Sequence, residues 1–229
     1  MRSFRVSAAA VIAWLSLQAN EAAAQTRIWI DTDPSMGAPY REVDDAFALV
    51  LAFHSPERQI AGISTTYGNA GVKRTTAVAR DLVRRFGGPA GVTGADVSAG
   101  AAGKGALGRS TAATEALAAA LKKERLTYVA LGPLTNLATL LQLHPELASR
   151  FDRVILVGGR TPGRVLAFGA NGGLQIHDAN VFKDPAAAQV VLDTKVPLVL
   201  AAPEIGGELV LTRDDARQLA ADGAAGKFL

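Results

Sequence analysis

Four aspartates near the start of the chain are spaced for metal or acid–base chemistry. Asp31 and Asp33 follow the apolar triplet Ile28-Trp29-Ile30, and the pair Asp44-Asp45 precedes a run rich in Ala, Leu, Val and Phe. In extended chain, residues two apart project to the same side, so Asp31 and Asp33 share one face. Asp44 and Asp45 fall where a helix begins, and free N–H groups and the helix dipole favour carboxylates there. Gathering such charges is costly unless a cation neutralises them. An oxygen-only set in a chain without cysteine suits a hard cation, Ca2+ or Mg2+. Backbone capping accounts for Asp31 or Asp45 taken singly, but not for the whole set gathered at one strand end.

The elements that must position these acids alternate along the chain. Strands are expected at Arg27–Ile30, Gln59–Thr65, Thr127–Leu131, Arg153–Val157 and Leu198–Ala201. Helical patterns lie at Asp44–Phe53, Val72–Phe86, Thr111–Lys123, Leu134–Leu143 and Pro185–Asp193, and Thr212 with Asp215 forms a capping box for a last helix. Gly87 to Gly108, rich in Gly and Ala, reads as a loop. Strands separated by helices of this length predict a single α/β domain, a doubly wound, mostly parallel sheet with helices on both faces. In such sheets ligands bind beyond the carboxyl ends of the strands. The polar clusters fall there: Asp31 and Asp33, then Thr65 to Asn69, Gly132, and Gly158-Gly159.

An apolar strand followed by Asp-x-Asp also resembles the aspartyl-phosphate phosphatases of the haloacid dehalogenase type, and Ser35 sits where a small hydroxyl is wanted. That chemistry needs an acidic metal pair after a later strand. The run Leu156-Val157-Gly158-Gly159 does not provide it, which weighs against a phosphatase.

Four collinear motifs give a stronger match. Asp31-Thr32-Asp33-Pro34 with Asp44-Asp45-Ala46, Ile63 to Asn69, Ala130-Leu131-Gly132-Pro133-Leu134-Thr135-Asn136-Leu137-Ala138, and Val157-Gly158-Gly159 with Asp178-Ala179-Asn180 and Asp184-Pro185-Ala186-Ala187 follow in order. Together they resemble the inosine-uridine-preferring nucleoside hydrolase family across residues 27–205. The resemblance implies metal-dependent hydrolysis of the N-glycosidic bond of a ribonucleoside to ribose and free base. It implies Asp33 as a metal ligand and the base toward water, with Asp45 and the Leu131 carbonyl as further ligands. Asp44 and Asn69 would hold ribose hydroxyls, Asp178 and Asn180 the sugar from the other side, and Asn171 would assist. Asp31 would orient the acidic loop. A homodimer or homotetramer is also implied.

Two departures from the family pattern bear on activity. Ser35 to Val43, including Gly37, Pro39, Tyr40 and Arg41, form a longer insert between the proline and the paired aspartates. It reads as a rim loop, because loop insertions cost little. A later His-Asp pair implied by the resemblance would lie beyond Leu229, so the sequence is expected to be C-terminally truncated. A catalytically degenerate homologue that binds nucleoside or ribose is the alternative. Of the histidines, His54 and His144 sit at helix ends, while His177 adjoins Asp178 and is the candidate proton donor to the leaving base.

Bulk composition narrows the partners. Among 229 residues, 49% are hydrophobic and the net charge is only +3. No basic run interleaved with aromatics appears, which argues against nucleic acid. Arg2 and Arg5 precede the uncharged run Val6 to Ala19, followed by Ala22-Ala23-Ala24. That pattern is a secretory signal with cleavage expected after Ala24, because its apolar run is shorter than the roughly 20 residues a membrane span needs. The mature chain is expected to be periplasmic or secreted, with no membrane association after cleavage.

Overall fold

A computed structural model describes residues 25–37, 43–164, 166–168, 174–202, 204 and 212–228. The central strand β1 (Thr26–Thr32) is buried from Ile28 onward. Its residues alternate between two apolar layers, as a strand's period requires. Trp29 joins one core with Leu117, Leu121, Tyr128, Leu137 and Leu140. Ile28 and Ile30 join the other with Leu49, Phe53, Leu82 and Val83.

Helix α1 (Asp44–Phe53) and β2 (Arg58–Thr65) follow, then α2 (Val72–Phe86), whose Thr75, Ala79, Leu82, Val83 and Phe86 are buried at helical spacing. Strand β3 (Val97–Ala99) lies inside the segment expected to be a loop. That expectation is corrected: buried Val97 pairs with Ile63 of β2, and Arg80 donates to the Val97 carbonyl at 3.1 Å. A strand so short and so rich in small residues shows no alternation to read.

Helix α3 (Ala112–Lys123), capped by Thr111, leads to β4 (Leu126–Ala130), α4 (Thr135–Leu143) and β5 (Phe151–Val157). Two short strands, β6 (Leu166–Phe168) and β7 (Leu174–Ile176), pair antiparallel with each other outside the main sheet. Next come α5 (Ala179–Lys183), α6 (Pro185–Asp193) and β8 (Leu198–Ala201). Helices α7 (Arg213–Ala221) and α8 (Ala224–Phe228) end the described chain, and the Thr212–Asp215 capping box forms as expected.

The main sheet runs β3-β2-β1-β4-β5-β8 with every pair parallel. Helices cover both faces, so the doubly wound α/β expectation holds. Chain order reverses between β1 and β4. At such a switch point the connections leave in opposite directions and a crevice opens beyond the strand ends. Asp31 pairs with Ala130 in register there, and the Leu131 N–H donates to the Asp31 carbonyl at 2.8 Å. The first acid and the third glycine-containing motif therefore meet at the switch.

Candidate functional site

Asp31 is a buried hub, not a rim acid. Its Oδ1 accepts from the Ser64 hydroxyl at 2.6 Å and from Asn136 Nδ2 at 2.9 Å. Trp29 Nε1 in turn donates to Ser64 Oγ at 2.9 Å. Asn136 also donates to the Thr65 carbonyl and accepts from the Ala101 N–H at 2.8 Å. One side chain from α4 thus ties β1, β2 and the segment after β3 together. Burial pushes the Asp31 carboxyl up, and the hydrogen bonds from Ser64 and Asn136 pull it back only in part. Burial and then the Asp31 charge push the Tyr128 phenol well above its ordinary range. Asp31 thus links β1 to the Ser64 hydroxyl of β2 and to Asn136 of α4.

Asp33 and Asp45 form the reactive-looking pair. Asp45, in the first turn of α1, accepts from the Asp33 N–H at 3.0 Å and from the Thr32 hydroxyl. Asp33 Oδ2 accepts from the Asn69 N–H at 2.6 Å, so the turn after β2 holds it from the other side. Both carboxylates are buried. Burial, followed by the Asp33 charge, raises the Asp45 carboxyl well above the usual range, against the pull of the Thr32 hydroxyl; Asp44 adds a smaller rise. Asp44 itself is exposed at the rim. Two glycines make room for Asp33: a Cβ on Gly68 would lie 1.8 Å from Oδ2, and one on Gly132 would lie 2.8 Å from Oδ1. Any side chain at either position would displace the carboxylate.

Across the crevice, Asn180 Nδ2 donates to the Leu131 carbonyl at 2.7 Å and to the Val157 carbonyl at 2.8 Å. It clamps the ends of β4 and β5. Asp178 caps α5, its Oδ2 accepting from the Gly159 N–H at 2.9 Å and the Val181 N–H at 3.1 Å, and its Oδ1 from the Asn180 N–H at 3.2 Å. Most of its hydrogen-bonding capacity therefore goes to backbone. Beside it, His177 is exposed and stacks on Phe182 with ring centroids 5.0 Å apart and an interplanar angle of 8°. The two rings line an open cleft of about 270 Å³ with Gly159, Arg160, Asp178 and Pro185. The other two histidines are structural: His54 Nδ1 lies 2.9 Å from the Val50 carbonyl, and His144 pairs with Glu146 at 3.5 Å.

Two participants were missed by the sequence reading. Lys183, the last residue of α5, places Nζ 3.8 Å from Asp33 Oδ2 and donates to Asn69 Oδ1 at 3.4 Å. Buried Asp184 accepts from the Thr135 hydroxyl at 2.6 Å and caps α6 through the Ala187 N–H at 3.0 Å. Asp184 stood within a motif noted in the sequence, but nothing in the spacing links Lys183 to an acid 150 positions earlier. Asn171, Pro39, Tyr40, Arg41 and the segment 1–24 lie outside the described residues.

The donor set fits a hard divalent cation. Two adjacent buried carboxylates raise each other's cost of ionisation, a repulsion that a cation between them relieves. The Leu131 carbonyl follows β4 at the same switch point. Among the described residues no group of three or more His, Cys, Asp or Glu side chains converges. Among the described residues, the oxygen donors that such a site would draw on at this switch point are the Asp33 and Asp45 carboxylates and the Leu131 carbonyl, fewer than the roughly six to eight oxygens Ca2+ takes.

Comparison with known proteins identifies the family. The family model described as "Inosine-uridine preferring nucleoside hydrolase" matches residues 28–229. The protein named "Probable uridine nucleosidase 2" of Arabidopsis thaliana is 31% identical over 85% of this chain and 64% of its own length. A pyrimidine-specific ribonucleoside hydrolase of Klebsiella pneumoniae is 29% identical over 78% of this chain and 60% of its own length. This chain thus spans 60–64% of those two relatives. A solved plant nucleoside hydrolase superposes with a TM-score of 0.72 at 26% identity, over 89% of this chain and 68% of that one.

Proposed function

The chain belongs to the inosine-uridine preferring nucleoside hydrolase family, and from that premise we propose that it hydrolyses the N-glycosidic bond of ribonucleosides to ribose and free base. The observation that carries this reading is the seating of Asp33 and Asp45 side by side at the switch point, one held by the Asn69 N–H and the other by the Asp33 N–H. The relatives named for uridine and pyrimidine ribonucleosides make uridine the first substrate to test and inosine the second.

Ca2+ or Mg2+ held by Asp33, Asp45 and the Leu131 carbonyl would bind a ribose diol and make water more acidic. Asp33 takes the proton from the attacking water; its Oδ2 is fixed before substrate arrives. As the base leaves, positive charge grows on the ribosyl ring, and the surrounding carboxylates stabilise it. Asn69 and the exposed Asp44 hold ribose hydroxyls on the near side. Asn180, whose amide nitrogen is committed to two carbonyls, offers its Oδ1 on the far side with Asp178, and Asn171 assists, as the family resemblance implies. His177 donates a proton to the leaving base from its stack on Phe182.

Incubating the purified chain with uridine, inosine and Ca2+ and measuring reducing sugar tests the proposal. Sugar release that disappears in Asp33→Ala supports it. Binding of ribose by calorimetry with zero turnover on both nucleosides would favour the non-catalytic alternative instead. The proposal extends to location and assembly. Arg2, Arg5 and the apolar run to Ala19 support export with cleavage after Ala24, read as a mature N-terminus at Gln25 by mass spectrometry of periplasmic protein. Family membership supports a dimer or tetramer, read by sedimentation.

A further inference from the structure

Lys183 brings a positive charge to the acid pair, and its backbone is held from several directions. The Tyr67 hydroxyl donates to its carbonyl at 3.3 Å, the next residue Asp184 is locked to Thr135, and Asn180 anchors the start of the same helix to the ends of β4 and β5. Its side chain is 25% exposed, whereas that of Asp33 is 1% exposed. The pair differs in this from surface pairs such as Arg125–Asp152, where both partners are about half exposed. A buried carboxylate with a second carboxylate beside it gains from any cation within a few ångströms, because screening by water is weak there.

An ammonium is a compact charge on a flexible four-carbon stem, and it can leave when something better arrives. A divalent ion seated on Asp33 and Asp45 would find this ammonium as a like-charged neighbour competing for the same oxygen. We propose that Lys183 is a tethered monovalent cation that shares the Asp33 carboxylate with the incoming divalent ion and so sets the divalent affinity of the chain. Empty of metal, the pocket keeps Asp33 oriented through Lys183 and the Asn69 N–H; on loading, the lysine swings toward solvent. The inference rests on the divalent site proposed above, and it adds a residue of this chain that weakens that site.

Calorimetric titration of the full chain with CaCl2 alone, at fixed pH and ionic strength, tests it. Lys183→Met should bind Ca2+ about tenfold more tightly than the native chain, equivalent to about 1.4 kcal/mol, while Lys183→Arg should stay within about threefold of native. Circular dichroism checks that each variant is folded, and Lys183→Gln serves where the methionine variant is not. A Lys183→Met or Lys183→Gln chain that binds Ca2+ no more tightly than native overturns the role of Lys183 and leaves the divalent site standing. Absence of Ca2+ binding in the native chain and in every variant overturns both.

Discussion

Around the ends of β1, β2 and β4, buried polar groups hold one another: Asp31 on Ser64 and Asn136, Asp33 on the Asn69 N–H, Asp45 on the Asp33 N–H. On the side of β5 and β8 the polar groups turn inward to backbone, as Asp178 and Asn180 do. On that side Phe182 is 63% exposed and lines the open cleft with His177. The contrast separates two tasks. In the proposed reaction, the carboxylates that would meet a cation and a sugar diol are fixed in advance, so no reorganisation is needed when charge develops. The second side supplies clamps and an open cleft, and is suited to contacts that adjust to the ligand.

The sharpest way to break that contrast is to remove its reactive member. Asp33→Ala should lower uridine or inosine turnover by about 10³-fold or more, since general-base loss alone costs about 10²–10⁴, and calorimetry should show Ca2+ affinity falling with it. A variant retaining a tenth of native turnover would move the base elsewhere. Asn136→Ala tests whether the first side is rigid because its partners satisfy each other. It leaves the Asp31 carboxylate with the Ser64 hydroxyl but without its amide donor, and it strands the Ala101 N–H at about 1–3 kcal/mol. Thermal melts should show a drop of several degrees or more, and Asn180→Ala, at a half-buried position on the second side, should lose less than half as much. Equal losses would erase the distinction.

Gly132→Ala sharpens the same point at the scale of one methyl. With Asp33 Oδ1 only 2.8 Å from where the Cβ would sit, turnover should fall about tenfold, because small misplacements at reacting groups are expensive, while the melting temperature moves little. Acidity gives a smaller effect with a definite sign. Asp31 and Asp45 have folded values raised above 3.8, so the native chain holds their protons more tightly than the unfolded chain does. Their contribution in EDTA is most favourable below that value and is lost as pH rises through the raised folded values. Melts from about pH 4 to 7 should show the gain in stability from Ca2+ growing over the same range, as ions compete better with fewer protons. A Ca2+ effect that shrinks with pH would contradict this. Least of all, His177→Ala should reduce turnover about twofold to tenfold without touching Ca2+ affinity, well short of the usual loss of a general acid, because at this exposed position water replaces the donor.

Much of this was legible in the sequence where periodicity or spacing is local. Asp44–Phe53, Val72–Phe86 and Pro185–Asp193 have the bounds their patterns indicate, because caps, prolines and apolar stripes act within a few residues. The acids at the end of β1 were readable because parallel sheets deliver strand ends to one rim. What stayed hidden depends on contacts across the fold. Strand β3 owes its conformation to pairing with β2, and its three small residues carry no alternation of their own. Lys183 reads as an ordinary helix-end lysine until α5 is laid across the crevice. Asn136 sat inside a recognised motif, but its hydrogen bonds reach back 105 and 71 positions, to Asp31 and the Thr65 carbonyl, and only the folded sheet brings them together.

The most direct test of the central claim is an anomalous-difference map from crystals of the chain grown with Ca2+. We expect a peak about 2.3–2.6 Å from carboxylate oxygens of Asp33 and Asp45 and from the Leu131 carbonyl, joined by two ribose hydroxyls when ribose is soaked in. A saturated crystal whose calcium lies elsewhere, with the space between Asp33 and Asp45 filled only by protein atoms, would contradict it.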